Sequence, residues 1–183
     1  MPITPVQILW VNMIMAVTLA LSLAFEPPET GVMQRPPRDP REHILSFFLI
    51  RRIVFVSLIL VAGTCGLFTW ERMNGASIEI ARTVAVNTLV MFEVFYLFNS
   101  RYLRDPVLSS EGIFGNSYVV FAIAVVTIFQ LLFTYAPPMQ KLFGTMGINV
   151  SSWVRIIMVA ASVLILVEIE KCLLRKFAVA GSD

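Results

Sequence analysis

Five apolar segments of membrane-spanning length constrain this chain more than any other feature of its sequence. A helix needs about 20 apolar residues to cross a hydrocarbon core of about 30 Å. Hydrophobic residues make up 57% of the 183 residues, against about 45–50% in soluble domains, so one small soluble core cannot bury them. The sequence predicts an all-α, polytopic transmembrane bundle forming one domain over residues 1–183, with spans at Ile3–Phe25, Ile53–Trp70, Ile80–Phe98, Ser117–Tyr135 and Trp153–Leu174.

The basic residues predict how these spans are oriented. Arginine and lysine are concentrated in the loop Glu26–Arg52, in the loop after the third span and at the carboxyl-terminal end. By the positive-inside rule, the amino terminus is then outside and the carboxyl terminus cytoplasmic. The net charge of +2 is too small to suggest nucleic acid. We therefore expect a multi-pass protein of the cell membrane, with the lipid bilayer as its surroundings and aromatic anchors at the outer ends: Trp70, Tyr135 and Trp153.

Turn-forming residues separate the apolar segments. Pro27-Pro28, Asn74-Gly75 and Asp105-Pro106 lie in the first three connections. Pro137-Pro138 follows the fourth segment and is expected to end its helix, because proline cannot continue the backbone hydrogen bonds.

The cysteines and the histidine predict no metal site. Cys65 and Cys172 are far apart in sequence, each in or at the end of an apolar segment, and are expected to be buried small residues. His43 is the only histidine and has no cysteine or histidine near it in sequence, whereas zinc sites usually need four such ligands.

Two polar side chains lie deep within apolar segments. Asn12 is near the middle of the first, and Glu93 is well inside the third, flanked by apolar and aromatic residues. An amide or a carboxyl at that depth costs free energy unless a neighbouring helix, water or an ion satisfies it. Both are therefore candidate functional residues. The alternative for Glu93 is a protonated carboxylic acid that joins two helices by a hydrogen bond.

The other polar residues of the spans have simpler interpretations. Gln130 is expected to form an interhelical hydrogen bond rather than to bind a ligand. Glu168, Glu170 and Lys171 are expected to form a solvated helix end, and Arg155 to reach water from near the outer end of the last span.

The stretch from Pro2 to Pro40 joins an apolar segment, a Pro-Pro turn and a basic loop in a distinctive order. A second stretch, Phe92–Arg101, surrounds Glu93. The residues of the first stretch that carry a family resemblance are Pro5-Val6-Gln7, Leu9-Trp10-Val11-Asn12, Phe25-Glu26-Pro27-Pro28 and Met33-Gln34-Arg35-Pro36-Pro37-Arg38. The two stretches resemble the sixth membrane helix with its following loop, and the eighth membrane helix, of calcium-pump-like P-type cation-transporting ATPases of the prokaryotic-type branch.

This resemblance implies that the chain is the carboxyl-terminal membrane domain, helices six to ten, of an ATP-driven cation pump. It implies that Asn12 and Glu93 bind the transported cation, with Thr18 and Asn87 as accessory candidates. The complete pump would use ATP and Mg²⁺. The expected partner is the remaining amino-terminal part of the pump, with its first five helices and cytoplasmic domains.

No cofactor and no ATP hydrolysis are expected of this chain alone, because its 183 residues contain neither the phosphorylation motif nor a nucleotide-binding domain. Two alternatives remain open at this point. One is a stand-alone membrane bundle that binds or regulates a partner, and the other is an inactive gene remnant.

The sequence departs from the calcium pumps at two positions. Where the resemblance leads us to expect a threonine and an aspartate that bind calcium, this chain has Met15 and Ala16. Calcium commonly takes six to eight oxygen ligands, so losing a carboxylate lowers both ligand number and charge. The transported cation is accordingly left open among a proton, sodium, potassium and a divalent cation.

Overall fold

The structure is a computed structural model that describes residues 1–25, 47–101 and 116–180. Five of its helices are long enough and apolar enough to cross a membrane. The prediction of an all-helical membrane protein with five spans is confirmed. Four features singled out in the sequence lie outside the described residues: the Pro27-Pro28 pair, the basic loop Arg35–Arg38, His43 and the Asp105-Pro106 pair.

We number the helices in chain order. Helix α1 runs through Pro5–Leu23 and consists of an α-helical part, Pro5–Ile14, a π-helical part, Met15–Ala20, and a short α-helical end, Leu21–Leu23. The others are α2 (Phe47–Met73), α3 (Ile78–Arg101), α4 (Ser117–Tyr135), α5 (Pro137–Phe143) and α6 (Val150–Ala180).

Helices α2, α3 and α6 extend beyond the apolar segments that predicted them. Helix α2 begins before Arg51 and Arg52, and α6 extends beyond both limits of Trp153–Leu174. Charged residues end an apolar run without ending a helix, because long charged side chains reach a polar interface from a helical backbone.

Pro137-Pro138 begins a helix instead of only ending one. Helix α4 stops at Tyr135, Ala136 caps the next helix, and the two prolines form the first turn of α5. A proline in the first turn needs no backbone N–H, since that group would have no partner inside the helix. Helix α5 ends at Phe143 and is capped by Gly144, whose φ of 60° is the left-handed conformation that favours glycine.

Helix α3 is the centre of the bundle, because buried residues on its two sides belong to different clusters. One side packs against α1 and α4, and the other against α2 and α6. The α1–α3–α4 cluster comprises Trp10, Val11, Ile14, Leu19, Val86, Val90, Val94, Leu97, Val119, Ala122, Val126 and Phe133. The α2–α3–α6 cluster comprises Val56, Phe92, Ala160, Val163 and Val167.

Gln7 fixes the start of α1 to the rest of the bundle. The Gln7 backbone N–H donates to Thr4 Oγ1 at 3.4 Å, and the Thr4 N–H donates to Gln7 Oε1 at 2.9 Å, which together form a capping box. The Gln7 Nε2 group also donates to the carbonyl oxygen of Phe143 at the end of α5, at 2.9 Å. The fully buried Gln7 side chain thus caps the amino-terminal end of α1 and joins that helix to the end of α5.

We expect Gln7→Ala to lower the free energy of unfolding by about 1–2 kcal/mol, because it removes a cap and an interhelical hydrogen bond. Unfolding of the purified chain in mixed micelles, followed by circular dichroism during an SDS titration, measures this. Val6→Ala, at the neighbouring exposed position, is the control. Equal unfolding free energies for the two variants would contradict the role assigned to Gln7.

Candidate functional site: Asn12 and Glu93

Glu93 lies on α3 at the border between the two clusters, directly after the buried Phe92 and before the buried Val94. Its side chain is half-buried and makes no hydrogen bond or ion pair with any residue that the structure describes. The alternative interpretation is a carboxylic acid that joins two helices by a hydrogen bond. Among the described residues, no second helix forms such a hydrogen bond with Glu93. A carboxyl group without a partner is left in an apolar surrounding.

Asn12 lies on the side of α1 that faces away from the bundle. Trp10, Val11 and Ile14 are buried against α3 and α4, whereas Asn12 is exposed, as are Met13 and Ala16. The Asn12 amide makes no hydrogen bond with the described residues. This polar group is therefore available to a ligand, or to a polypeptide that covers this side of α1.

The two candidate residues lie inside neighbouring helices, α1 and α3. Arg82 Nε, near the start of α3, donates to the carbonyl oxygen of Met1 at 3.3 Å, which aligns the starts of α1 and α3. Asn12 lies eleven residues beyond Met1, and Glu93 lies eleven residues beyond Arg82. At 1.5 Å per helical residue, Glu93 is about 16 Å along α3 from Arg82, and Asn12 is about 10 Å along α1 from Pro5, where that helix begins. No hydrogen bond joins Asn12 to Glu93, so any link between them requires a further group.

The two accessory candidates are engaged elsewhere. Thr18 Oγ1 donates to the carbonyl oxygen of Ile14 at 2.5 Å, within its own helix. Asn87 is fully buried, and its Nδ2 donates to the Thr83 carbonyl at 2.8 Å and to Thr134 Oγ1 at 3.0 Å. Six residues along a helix correspond to a rotation of about 120°, so Asn87 and Glu93 point to different sides of α3. The structure does not bring Asn87 to Glu93.

The π-helical part of α1 contains the two positions at which this sequence differs from the calcium-pump pattern. It begins at Met15 and Ala16, the two positions where oxygen ligands were expected from the resemblance. Such segments have i→i+5 hydrogen bonds, and they occur frequently at functional sites within α-helices. The irregular backbone therefore lies one turn from Asn12, on the helix that carries one of the two candidates.

A groove of about 330 Å³ lies between α1 and α4, beyond Thr18 on the side away from Asn12. Its two α1 hydroxyls are already used, since Ser22 Oγ donates to the Leu19 carbonyl at 2.7 Å and Thr18 to Ile14. The groove consequently offers hydrocarbon contact rather than polar ligands. Its lining includes Val17, Leu21, Phe25, Phe121, Ala122 and Val125.

An ion pair between α2 and α6 was not predicted from the sequence. Arg155 Nη2 donates to Glu71 Oε1 at 2.7 Å, and Ser152 Oγ donates to the same oxygen at 3.2 Å. The Glu71 side chain is only 9% exposed. Arg155 therefore has a buried carboxylate partner instead of extending alone into water. The two residues are 84 positions apart, and no local pattern in the sequence relates them.

The expectation of a solvated helix end around Lys171 is wrong. The Lys171 side chain is 1% exposed, and its Nζ lies 3.4 Å from Glu168 Oε2 and 3.5 Å from Asn99 Oδ1 of α3. Arg52 Nε of α2 lies 3.2 Å from Glu170 Oε2. Charged groups at this end of the bundle hold α2, α3 and α6 together.

The interhelical hydrogen bond expected of Gln130 is not formed with any described residue. It is fully buried in α4, and neither its Nε2 nor its Oε1 atom has a hydrogen-bond partner in the ranges that the structure describes. Buried polar groups are usually paired, so Gln130 departs from the usual pattern. A polar residue in an apolar segment was visible in the sequence, but the lack of a partner was not.

The structure contains no ready-made metal centre in the ranges it describes. Those ranges hold no group of three or more His, Cys, Asp and Glu residues that could bind a metal ion. Asn12 and Glu93 together provide one amide and one carboxylate. A hard cation bound between them would need oxygen ligands from elsewhere.

Comparisons with known proteins give consistent results. The family model described as "Cation transporting ATPase, C-terminus" matches residues 1–173. The probable cation-transporting ATPase F of Mycobacterium tuberculosis is 44% identical over 175 residues, which cover 96% of this chain and 19% of that protein. The cation-transporting ATPase pma1 of Synechocystis is 34% identical over 158 residues, covering 84% of this chain and 18% of that protein.

A mammalian relative gives a similar result. The calcium-transporting ATPase type 2C member 2 of Mus musculus is 33% identical over 172 residues, which cover 93% of this chain and 18% of that protein. The chain thus spans about a fifth of the length of the curated relatives it matches.

Proposed function

We infer a role in cation transport for this chain, which belongs to the family of P-type cation-transporting ATPases and corresponds to their carboxyl-terminal membrane domain. In a complete pump the chain supplies part of the ion-binding site and of the translocation pathway. The observation that carries this proposal is the pair of polar residues, Asn12 and Glu93, that lie inside neighbouring spans and have no hydrogen-bond partner among the described residues.

The chemistry of Glu93 supports binding of a cation or a proton. An ionised carboxylate in an apolar surrounding is costly unless a positive charge accompanies it. The ion pairs at Glu71 and Glu170 are an internal comparison, because these carboxylates have arginine partners while Glu93 has none among the described residues. A transported cation supplies the missing positive charge.

The exposed side of α1 supports a partner within the membrane. It carries Asn12 together with the exposed apolar residues Leu9, Met13 and Val17. We propose that the amino-terminal part of the pump covers this side and supplies the remaining oxygen ligands. That part would also bind ATP and Mg²⁺ and carry the phosphorylated aspartate, while the amino terminus of the present chain lies outside and its carboxyl terminus in the cytoplasm.

The number of oxygen ligands that Asn12 and Glu93 offer bears on which cation is transported. Asn12 and Glu93 offer fewer oxygens than the six to eight that calcium commonly takes, and Met15 and Ala16 add none from their side chains. Relatives named as calcium-transporting ATPases match 93% of this chain. If calcium is the cargo here, most of its ligands come from the other helices.

The size and activity of the native product test this proposal. An antibody against residues 26–46 should detect, in the source membrane, a species several-fold larger than 20.5 kDa, or a 20.5 kDa chain that co-purifies with a larger subunit. The species isolated with that antibody should hydrolyse ATP when a cation is added. A 20.5 kDa product without associated ATP hydrolysis would contradict the proposal and favour a stand-alone bundle.

A further inference from the structure

The Phe92 ring of α3 packs directly against the backbone of α2 at Gly63. A Cβ atom at this position would lie 2.5 Å from Phe92 Cε2 of α3 and 3.1 Å from Val159 Cγ1 of α6. The first distance is shorter than van der Waals contact allows. Small residues permit such close approach of helices in membranes, and only glycine fits at this point. Gly66, three residues further along α2, would meet nothing within 4 Å.

The Phe92 ring is fully enclosed by other side chains. It has no exposed surface, and it packs in the α2–α3–α6 cluster against Val56, Ala160, Val163 and Val167. Interiors packed to this density cannot absorb an extra methyl group without displacing backbone. A side chain at Gly63 would therefore push α3 away from α2 or rotate it.

Glu93 must follow any such movement, because it is the residue directly after Phe92. We propose that Gly63 is a positioning residue for Glu93: by admitting the Phe92 ring, it sets the rotation and depth of α3, and hence where the carboxyl group lies relative to α1. This inference takes its functional meaning from the proposed role of Glu93 in ion binding. The close contact itself does not depend on that role.

The test is the reactivity of Glu93 in the purified full chain. A hydrophobic carbodiimide modifies carboxyl groups in apolar surroundings, and mass spectrometry of peptides gives the extent of modification of Glu93 as a function of pH. We expect Gly63→Ala to change the rate at Glu93 at least threefold or to displace its pH profile. Gly66→Ala should leave both unchanged, since its methyl group meets nothing.

Rescue separates positioning from a general loss of structure. In the double variant Gly63→Ala/Phe92→Leu, the shorter side chain makes room for the methyl group. The pH profile of Glu93 labelling should therefore return toward that of the wild type. If Gly63→Ala does not fold, Phe92→Leu alone, which removes the ring that Gly63 accommodates, should still alter the labelling of Glu93.

Two results overturn the proposal: a folded Gly63→Ala variant with wild-type labelling, or an unaltered profile in Phe92→Leu. Either result leaves the ion-binding role of Glu93 intact, because that role is tested by the ion dependence of ATP hydrolysis in the complete pump. Conversely, if substitution of Glu93 does not alter the ion dependence of ATP hydrolysis, the ion-binding role of Glu93 is contradicted. The effect of Gly63→Ala on the labelling of Glu93 is then still expected.

Discussion

Replacing Glu93 by Gln in the assembled pump should lower the apparent affinity for the transported cation by about 10- to 100-fold. The substitution keeps the shape of the side chain and removes its charge, and hydrogen bonds that involve a charged group contribute about 1.5–3 kcal/mol, where 1.4 kcal/mol corresponds to a factor of ten. Cation-stimulated ATP hydrolysis, measured over a range of cation concentrations, gives the apparent affinity directly.

The pH dependence should change together with the affinity. Cation binding requires the ionised carboxylate, so the apparent affinity of the wild-type pump should fall as the pH falls and Glu93 is protonated. The Gln variant cannot titrate at this position, so its affinity should vary less with pH.

Glu79→Gln is the matched control for Glu93. It makes the same chemical change on the same helix, in the first turn of α3 rather than in its interior. An ion dependence in Glu93→Gln that equals that of Glu79→Gln would count against a ligand role for Glu93.

Glu71→Ala should have the largest effect on stability among the substitutions considered. It leaves the Arg155 guanidinium at a partly buried position without its carboxylate partner. Removing one member of a buried pair costs about 3–5 kcal/mol. Because the Arg155 side chain is 33% exposed and gains some hydration, we expect a loss of about 2–3 kcal/mol in the free energy of unfolding, measured by SDS titration in mixed micelles.

A double-mutant cycle identifies the cause of that loss. Arg155→Ala removes the other member, and the double variant Glu71→Ala/Arg155→Ala leaves neither charge without a partner. The double variant should be more stable than the sum of the two single effects predicts. Lys141→Ala, on the exposed surface of α5, controls for loss of any single charge. Strict additivity of Glu71→Ala and Arg155→Ala would show that the pair is not coupled.

The spans could be predicted from the sequence because the property that defines them is local. An apolar run long enough to cross a bilayer is visible without knowledge of its neighbours, and Ser117–Tyr135 was predicted with the bounds that α4 has. The predicted ends are less accurate where a helix continues into polar surroundings, as at Arg51 and Arg52, because hydropathy does not indicate that the helix continues there.

The contacts of the site could be predicted only in part. The depth of Asn12 and Glu93 within their segments followed from position alone. Which side of α1 faces outward depends on packing against α3 and α4, which no single segment encodes. The six-residue spacing of Asn87 and Glu93 could have separated their faces by helix geometry, whereas the lack of a partner for Gln130 required the whole bundle.

The π-helical part of α1 changes how its buried positions are spaced. Buried residues recur at intervals of three or four from Gln7 to Ile14, then after five residues at Leu19, and again after three at Ser22. In a regular α-helix, a step of five would rotate Leu19 by about 140° from Ile14, away from the bundle. The π-helical part thus accommodates one residue more than a regular α-helix with the same buried face. In an alignment with a relative whose corresponding helix is α-helical throughout, one residue between Ile14 and Leu19 has no counterpart, and the positions matched to Met15 and Ala16 depend on where that gap is placed.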